Sequence, residues 1–325
     1  MVSPSKLDIV PVIRTMAGDS MVGRLGLVPV GVAAKGGLAL FAPGLFVFLW
    51  STGFIGAKFG LPYAAPLSFL LVRYLLVIVL MLLLAGVTRA PWPKGGRLWL
   101  RIGISGLLVH AVYLGGVYLS IANGLPVGVS SIIVGLQPLL TAVGAAALLS
   151  ERIVVRQWIG LALGLCGTLL VVSARLHGGF GLAGLPAAFG ALFGITAGTL
   201  YQKRFCPSFD YRTGAVIQFV PAAALTGLAM LFYEDFRVEW NIQFVLALSW
   251  LSIVLSFGAV GLLNYLIRTG TATNVASLFY LVPPCTAIIA WLAFDEALGW
   301  MVMTGMALAV SGVYLSRSDA LRKVK

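Results

Sequence analysis

The feature that most constrains this chain is that it is one unit written twice. Residues 121–170 hold an apolar run with a central proline, a Ser-Glu pair, a short basic link and a second apolar run. The pattern returns over 266–315. Pro138 falls on Pro283, Thr141 on Thr286, Glu151 on Glu296, Gly160 on Gly305 and Gly167 on Gly312, each 145 positions on (283 − 138 = 145). A period of this kind decides the architecture before any local reading does.

The repeated unit is too apolar for water. Of the 325 residues, 60% are hydrophobic and 10% charged, whereas a soluble domain carries about 25% charged residues. Mean hydropathy is +1.02. Apolar runs recur at the length a helix needs to cross roughly 30 Å of hydrocarbon. From residue 40, ten spans are expected: 40–60, 65–87, 98–120, 126–148, 156–175, 182–202, 213–233, 244–267, 273–294 and 297–316. The fold class expected is therefore an all-α integral membrane protein. Residues 1–39 lie outside the repeat. They are expected to be either a cytoplasmic tail or an artefact of start-site choice, with Met16 and Met21 as other starts. Residues 40–175 form the first five-helix repeat, 182–316 the second, and 317–325 a cytoplasmic tail.

The net charge of +12 does not point to nucleic acid, because the cations cluster at span ends as topology signals do. With the N-terminus inside, 18 of the 22 Lys and Arg fall on the cytoplasmic side. Lys58, Arg175 and Arg237 fall outside, and Arg73 lies within a span. Five spans is an odd number, so the second copy runs inverted through the membrane. Inverted repeats with a site near the midplane are the architecture of secondary transporters. Channels and scaffolds can also arise by duplication. Both termini are expected in the cytoplasm, and the location expected is the inner membrane.

Three stretches resemble the EamA family of the drug/metabolite transporter superfamily. They are WSTGFIGAKFG (50–60) with LVRYLL (71–76), LQPLLTAVGAAALLSERIVVRQWIGLALGLCGTLL (136–170) and, more loosely, LVPPCTAIIAWLAFDEALGWMVMTGMALAVSGVYL (281–315). The resemblance runs from 40 to 316. It implies ten helices in two inverted five-helix halves, and export or exchange of small metabolites such as amino acids. YddG-like amino-acid exporters are one branch of the family. In the family, spans 1, 3, 4, 6, 8 and 9 line a central cavity.

The midplane positions of those spans give the candidate substrate residues: Trp50, Thr52, His110, Tyr113, Gln137, Pro138, Phe193, Thr196, Ser252, Ser256, Tyr280 and Pro283, with Pro284 beside the last. A proline frees the carbonyl one turn back, which is tolerated where a cavity or polar neighbour satisfies it. All ten acidic residues fall in tails, loops or span ends, so the usual intramembrane carboxylate relay is missing. His110 is expected to be a neutral histidine, satisfied in a structural role or lining the cavity, in preference to a proton carrier. Glu151 and Glu296 end their helices as structural caps or as gate charges. Arg73 sits roughly 12 Å into span 2 at 1.5 Å per residue. It is expected either to tie that span to helix-end carbonyls or to bind a carboxylate. An organic-anion or phosphate-ester antiporter would make Arg73 and Lys58 central. Lys58 and Lys203 are expected to snorkel. The glycine stripes 160/164/167 and 305/312 are expected to be packing seams, and Gly53, Gly56 and Gly60 looser hinge points. The three scattered cysteines support neither a metal site nor a disulfide framework. No cofactor is expected, and the expected partners are a small-molecule substrate and the lipid bilayer. No Ser/His/Asp grouping or phosphate-binding loop marks an enzyme, which leaves a non-transporting membrane scaffold as the other alternative.

Overall fold

The computed structural model describes residues 38–125, 127–173, 182–206, 208–294 and 299–317. These residues are helical almost throughout. In chain order the helices are α1 (Leu38–Gly60), α2 (Pro66–Val87), α3 (Gly96–Gly106), α4 (Gly115–Ala122), α5 (Val127–Val134), α6 (Gln137–Leu149), α7 (Val155–Ser173), α8 (Leu185–Phe205), α9 (Tyr211–Tyr233), α10 (Ile242–Ser249), α11 (Val260–Thr269), α12 (Ala272–Ser277), α13 (Val282–Phe294) and α14 (Trp300–Arg317). A π-helical segment, Leu107–Leu114, joins α3 to α4, and another, Trp250–Ala259, joins α10 to α11. Each threesome makes one continuous helix, Gly96–Ala122 and Ile242–Thr269. Five of the described helical stretches are long and apolar enough to cross a membrane, and four shorter apolar helices accompany them. Leu75, Val79, Leu82 and Leu83 of α2 and Leu228, Leu231 and Phe232 of α9 are exposed. Such faces suit lipid, where every backbone polar group must be satisfied within the helix.

Two expected spans are broken. A turn at 135–136 separates α5 from α6, and a 3-10 segment, Leu278–Leu281, separates α12 from α13. The breaks coincide under the 145-residue offset. A proline has no N–H to donate and its ring clashes with the carbonyl four residues back, so a straight helix is disfavoured there. Pro138 stands in the first turn of α6, the helical position where a missing N–H costs nothing.

Termini are capped from within and from afar. Asp210 accepts from the Arg212 amide at the start of α9, and Asn241 from the Phe244 amide at the start of α10. The start of α2 has no cap of its own. Instead Glu234 accepts from the Leu67 amide (2.9 Å) and the Ser68 amide (3.1 Å) across 167 residues of chain. Helix α6 ends with Ser150 in the left-handed region (φ 55°), and the Glu151 amide closes back onto the Ala145 carbonyl. The Ser150 amide also reaches the Ala145 carbonyl, and the left-handed position at such a helix end usually takes glycine.

The glycine stripes are packing seams, as expected. A Cβ added to Gly160 would lie 2.6 Å from the Gly312 carbonyl oxygen, and one on Gly305 would lie 2.7 Å from the Gly167 oxygen. Helices α7 and α14 thus touch backbone to backbone. The glycines of α1 are not loose. A Cβ on Gly56 would meet Leu251 at 2.9 Å, Gly53 faces Leu255 and Gly60 faces Phe69. They let α1 seat against the second π-helical segment and α2, so the hinge expectation is corrected.

Candidate functional site

At the centre stand the two breaks and the helices that cross them. Ser51 of α1 donates to the Val47 carbonyl and reaches the Val282 carbonyl at 3.2 Å, just after the second break. Trp50, one residue earlier, stacks on Tyr113 (centroids 6.4 Å, planes 12° apart) and meets Phe279 edge-on at 5.3 Å. Phe46 closes the cluster at 5.2 Å from Trp50 and 5.4 Å from Phe279. The Trp250 indole N–H donates to the Thr52 hydroxyl at 3.0 Å. Five polar side chains here make no hydrogen bond within the protein. The Gln137 amide has neither its nitrogen nor its oxygen bonded, and Thr141, Thr196, Ser252 and Tyr280 leave their hydroxyls free. Buried polar groups are ordinarily paired, and an orphan carries a desolvation cost of about 1–3 kcal/mol. Orphaned polar groups on the broken spans, on α8 and on the second π-helical segment, together with an aromatic cluster, supply what a solute site requires: an apolar wall with a few polar groups available to fix orientation.

A second group adjoins the first. Arg73 is 3% exposed. One terminal nitrogen reaches the Ser256 hydroxyl at 3.4 Å, and its Nε makes no hydrogen bond. It does not tie α2 to helix-end carbonyls, which corrects that expectation. The Tyr74, Tyr113, Tyr118 and Tyr211 phenols lie within range of its charge. His110 stacks on Phe219 (centroids 4.0 Å, planes 18° apart), and both of its ring nitrogens are unbonded. Of the two neutral roles expected for His110, the unbonded nitrogens fit a cavity-lining residue better than a fully satisfied one, with the Gln218 side chain as its neighbour. Tyr113 relates the two groups, since it lies within range of the Arg73 charge and stacks on Trp50.

The π-helical segments account for much of this arrangement. They carry His110 and Tyr113 in the first repeat and Ser252 and Ser256 in the second. A π-turn widens the helix and re-aims its side chains, and such turns gather at functional sites. The sequence carries no signal for them.

The remaining candidates fall as follows. Pro138 is buried and Pro283 half-buried beside the breaks. Phe193 is not part of either group: it is 64% exposed, on the same face of α8 as Phe189. The inward face of α8 is the one with Gly194 and Gly198, which press on the first π-helical segment. Glu151 does not pair with Arg152 or Arg156. Its carboxylate accepts from the Ala272 amide (2.9 Å) and the Thr273 hydroxyl (3.1 Å), joining the end of α6 to the start of α12. Lys203 donates to the Ile267 (2.8 Å) and Gly270 (2.6 Å) carbonyls and so anchors the end of α8 to the end of α11. Glu296, residues 1–37 and Arg175 lie outside the described residues, as does the Lys58 side chain. Among the described residues no His/Cys/Asp/Glu group could hold a metal ion.

The model of the EamA-like transporter family matches this chain twice, over residues 37–173 and 182–318. The chain belongs to the EamA-like transporter family. Its two family units are the two halves of the repeat, and the family is one of transporters. It is 26% identical over 272 residues to the uncharacterized transporter YvbV of Bacillus subtilis, covering 83% of this chain and 88% of that one. A probable amino-acid metabolite efflux pump of Salmonella typhimurium is 25% identical over 284 residues, covering 84% and 92%. The uncharacterized inner membrane transporter YedA of Escherichia coli is 26% identical over 289 residues, covering 86% and 90%. A solved crystal structure superposes with a TM-score of 0.74 at 21% identity, over 88% of this chain and 99% of the other, a likeness of fold. For this EamA-like transporter, then, orphaned polar groups include Gln137 and Tyr280 at the repeat-equivalent breaks and His110 and Ser252 on the π-helical segments.

Proposed function

We propose that this chain is a secondary transporter of the inner membrane that exports or exchanges small metabolites such as amino acids. Ten spans in two inverted five-helix halves alternate access to one central site. The observation that carries this reading is the pair of broken spans. Each breaks just before its proline, at positions 145 residues apart, beside the orphaned Gln137, Thr141 and Tyr280. Inverted repeats whose discontinuous helices meet at the midplane form transporter sites. The name of the Salmonella relative supports the substrate class, and the uncharged cluster of aromatic, amide and hydroxyl groups suits a solute of low net charge.

Glu151 is the gate charge of this mechanism. Its bonds to the start of α12 join the two halves at one end, and breaking them frees that end. The expected cytoplasmic position of Glu151 makes this the inner gate. Glu296, its mate in the repeat, is the corresponding outer gate, and both termini are cytoplasmic.

Purified protein in liposomes, loaded with unlabelled amino acids and assayed for counterflow of labelled ones, tests the reading. Saturable counterflow of at least one small solute is expected. No flux with amino acids, organic acids or sugar phosphates would leave a membrane scaffold as the better account.

A further inference from the structure

We infer that Arg73, with His110 and Ser256, is an anion site that takes the carboxylate of a monoanionic or zwitterionic solute. The inference rests on the transporter reading for its solute, but the site itself is argued from the chain. A permanent guanidinium is buried to 3% exposure, and among the described residues no carboxylate reaches it. Its environment is neutral phenol, hydroxyl and imidazole. A buried charge is retained only where it is paired or hydrogen-bonded. Arg73 has only neutral partners, the Ser256 hydroxyl at 3.4 Å and the Tyr118 phenol, and its Nε makes no hydrogen bond.

The other half of the molecule shows what a structural polar residue looks like at this position. The repeat mate of Arg73 is Gln218 (73 + 145 = 218). Its amide donates to the Ser105 hydroxyl at 3.0 Å and to the Gln202 oxygen at 3.3 Å. Gln202 in turn donates to Asn264, and Asn264 donates to the Val260 carbonyl at 3.0 Å. That is a neutral chain anchored within the bundle through the Gln218 nitrogen, with the Gln218 oxygen left unbonded. Arg73 has no such chain. Its neighbour His110 is equally incomplete, with both ring nitrogens free. A carboxylate offers two oxygens, and the fork of a guanidinium matches them in plane. A neutral imidazole adds one N–H donor.

The surroundings narrow the ligand further. One cation balances one negative charge, so a sugar phosphate, with about two charges at neutral pH, is a poor fit. Tyr113 lies within range of the Arg73 charge, and it stacks on Trp50 in the aromatic cluster with Phe46 and Phe279. The carboxylate then sits at Arg73 and an apolar or aromatic body lies along Tyr113 and Trp50.

The test uses three probes of one shape: L-phenylalanine, 3-phenylpropionate, which lacks the ammonium, and phenethylamine, which lacks the carboxylate. Binding to the full-length protein in detergent is read as a rise in thermal midpoint, and counterflow is measured in liposomes. L-phenylalanine and 3-phenylpropionate are expected to bind, and phenethylamine to bind about 10- to 100-fold more weakly, the loss of one charge-assisted interaction. R73Q copies the residue of the other repeat. It is expected to abolish the preference for carboxylates and to leave the ligand-free midpoint unchanged or raised, because an unpaired buried charge has gone. R73K is expected to keep the preference at reduced affinity. Phenethylamine binding as well as 3-phenylpropionate, or a lowered ligand-free midpoint in R73Q with the preference intact, overturns the anion site while leaving transport standing. Carboxylate-dependent binding without counterflow of any solute overturns transport and leaves the site. Neither binding nor counterflow overturns both.

Discussion

Buried polar side chains in this protein divide into those with partners in the chain and those without, and the division predicts opposite effects of removal. Ser105, Gln202, Gln218 and Asn264 form one hydrogen-bonded network. Q202L leaves Asn264 and Gln218 short of a partner and is expected to cost about 1–3 kcal/mol, read as a lowered unfolding midpoint in detergent. Gln137 and Ser252 have no partner. Q137M and S252A are expected to hold or raise the midpoint while lowering counterflow; a fall in midpoint with flux preserved would return both to a structural role. Cys206 closes α8 in a buried position, where desolvation pushes its thiol up to about 11. A thiolate is the reactive form. Maleimide at pH 7.5 is therefore expected to leave Cys206 unmodified in the folded protein, and to label it on unfolding. At this scale the sequence was legible where polarity marks the middle of a span, as for Gln137, Ser252 and Ser256. It failed at Phe193 because the rotation of α8 follows from the seating of Gly194 and Gly198, which a span centre does not reveal. His110 was found, but its lack of partners belongs to tertiary structure alone.

Among the elements, glycine position sorts contact from free surface. Gly312 lies against the Gly160 oxygen at 2.5 Å for an added Cβ, whereas Gly190 has nothing within 4 Å. G312L is expected to force α7 and α14 apart and to cost about 1–3 kcal/mol or more by overpacking. G190A is expected to be neutral or slightly stabilising, since alanine is the better helix former. Unfolding midpoints of the two variants check the contrast. The stripes were legible because small residues four apart read as a seam in any apolar helix. The two prolines were legible as well, but the breaks before them extend over two to four residues. The π-helical segments were invisible, since π-turns arise from strain between packed helices rather than from a composition.

For the whole molecule, two carboxylates act as cross-chain clasps. Glu234 holds the start of α2 and Glu151 the start of α12. E234A removes a helix cap and is expected to cost about 1 kcal/mol without changing which side of the site is open. E151A is expected to shift the population towards opening at its own end. Cysteines placed at Thr271 and, separately, at Tyr63 report the two ends by labelling rate in membranes. An equal change in both rates for E151A would remove the gate assignment. At this scale the all-helical, twofold-repeated organisation was legible in the 145-residue offset. The clasps did not, because a glutamate in a loop carries no mark of the distant amides it will meet.

The contact between α7 and α14 joins one half of the repeat to the other largely backbone to backbone at its glycines. Rotamer changes let packed helices glide past each other, and glycines have none to offer. In the proposed mechanism this seam is the part that stays still, and the turning is left to the spans that break before Pro138 and Pro283.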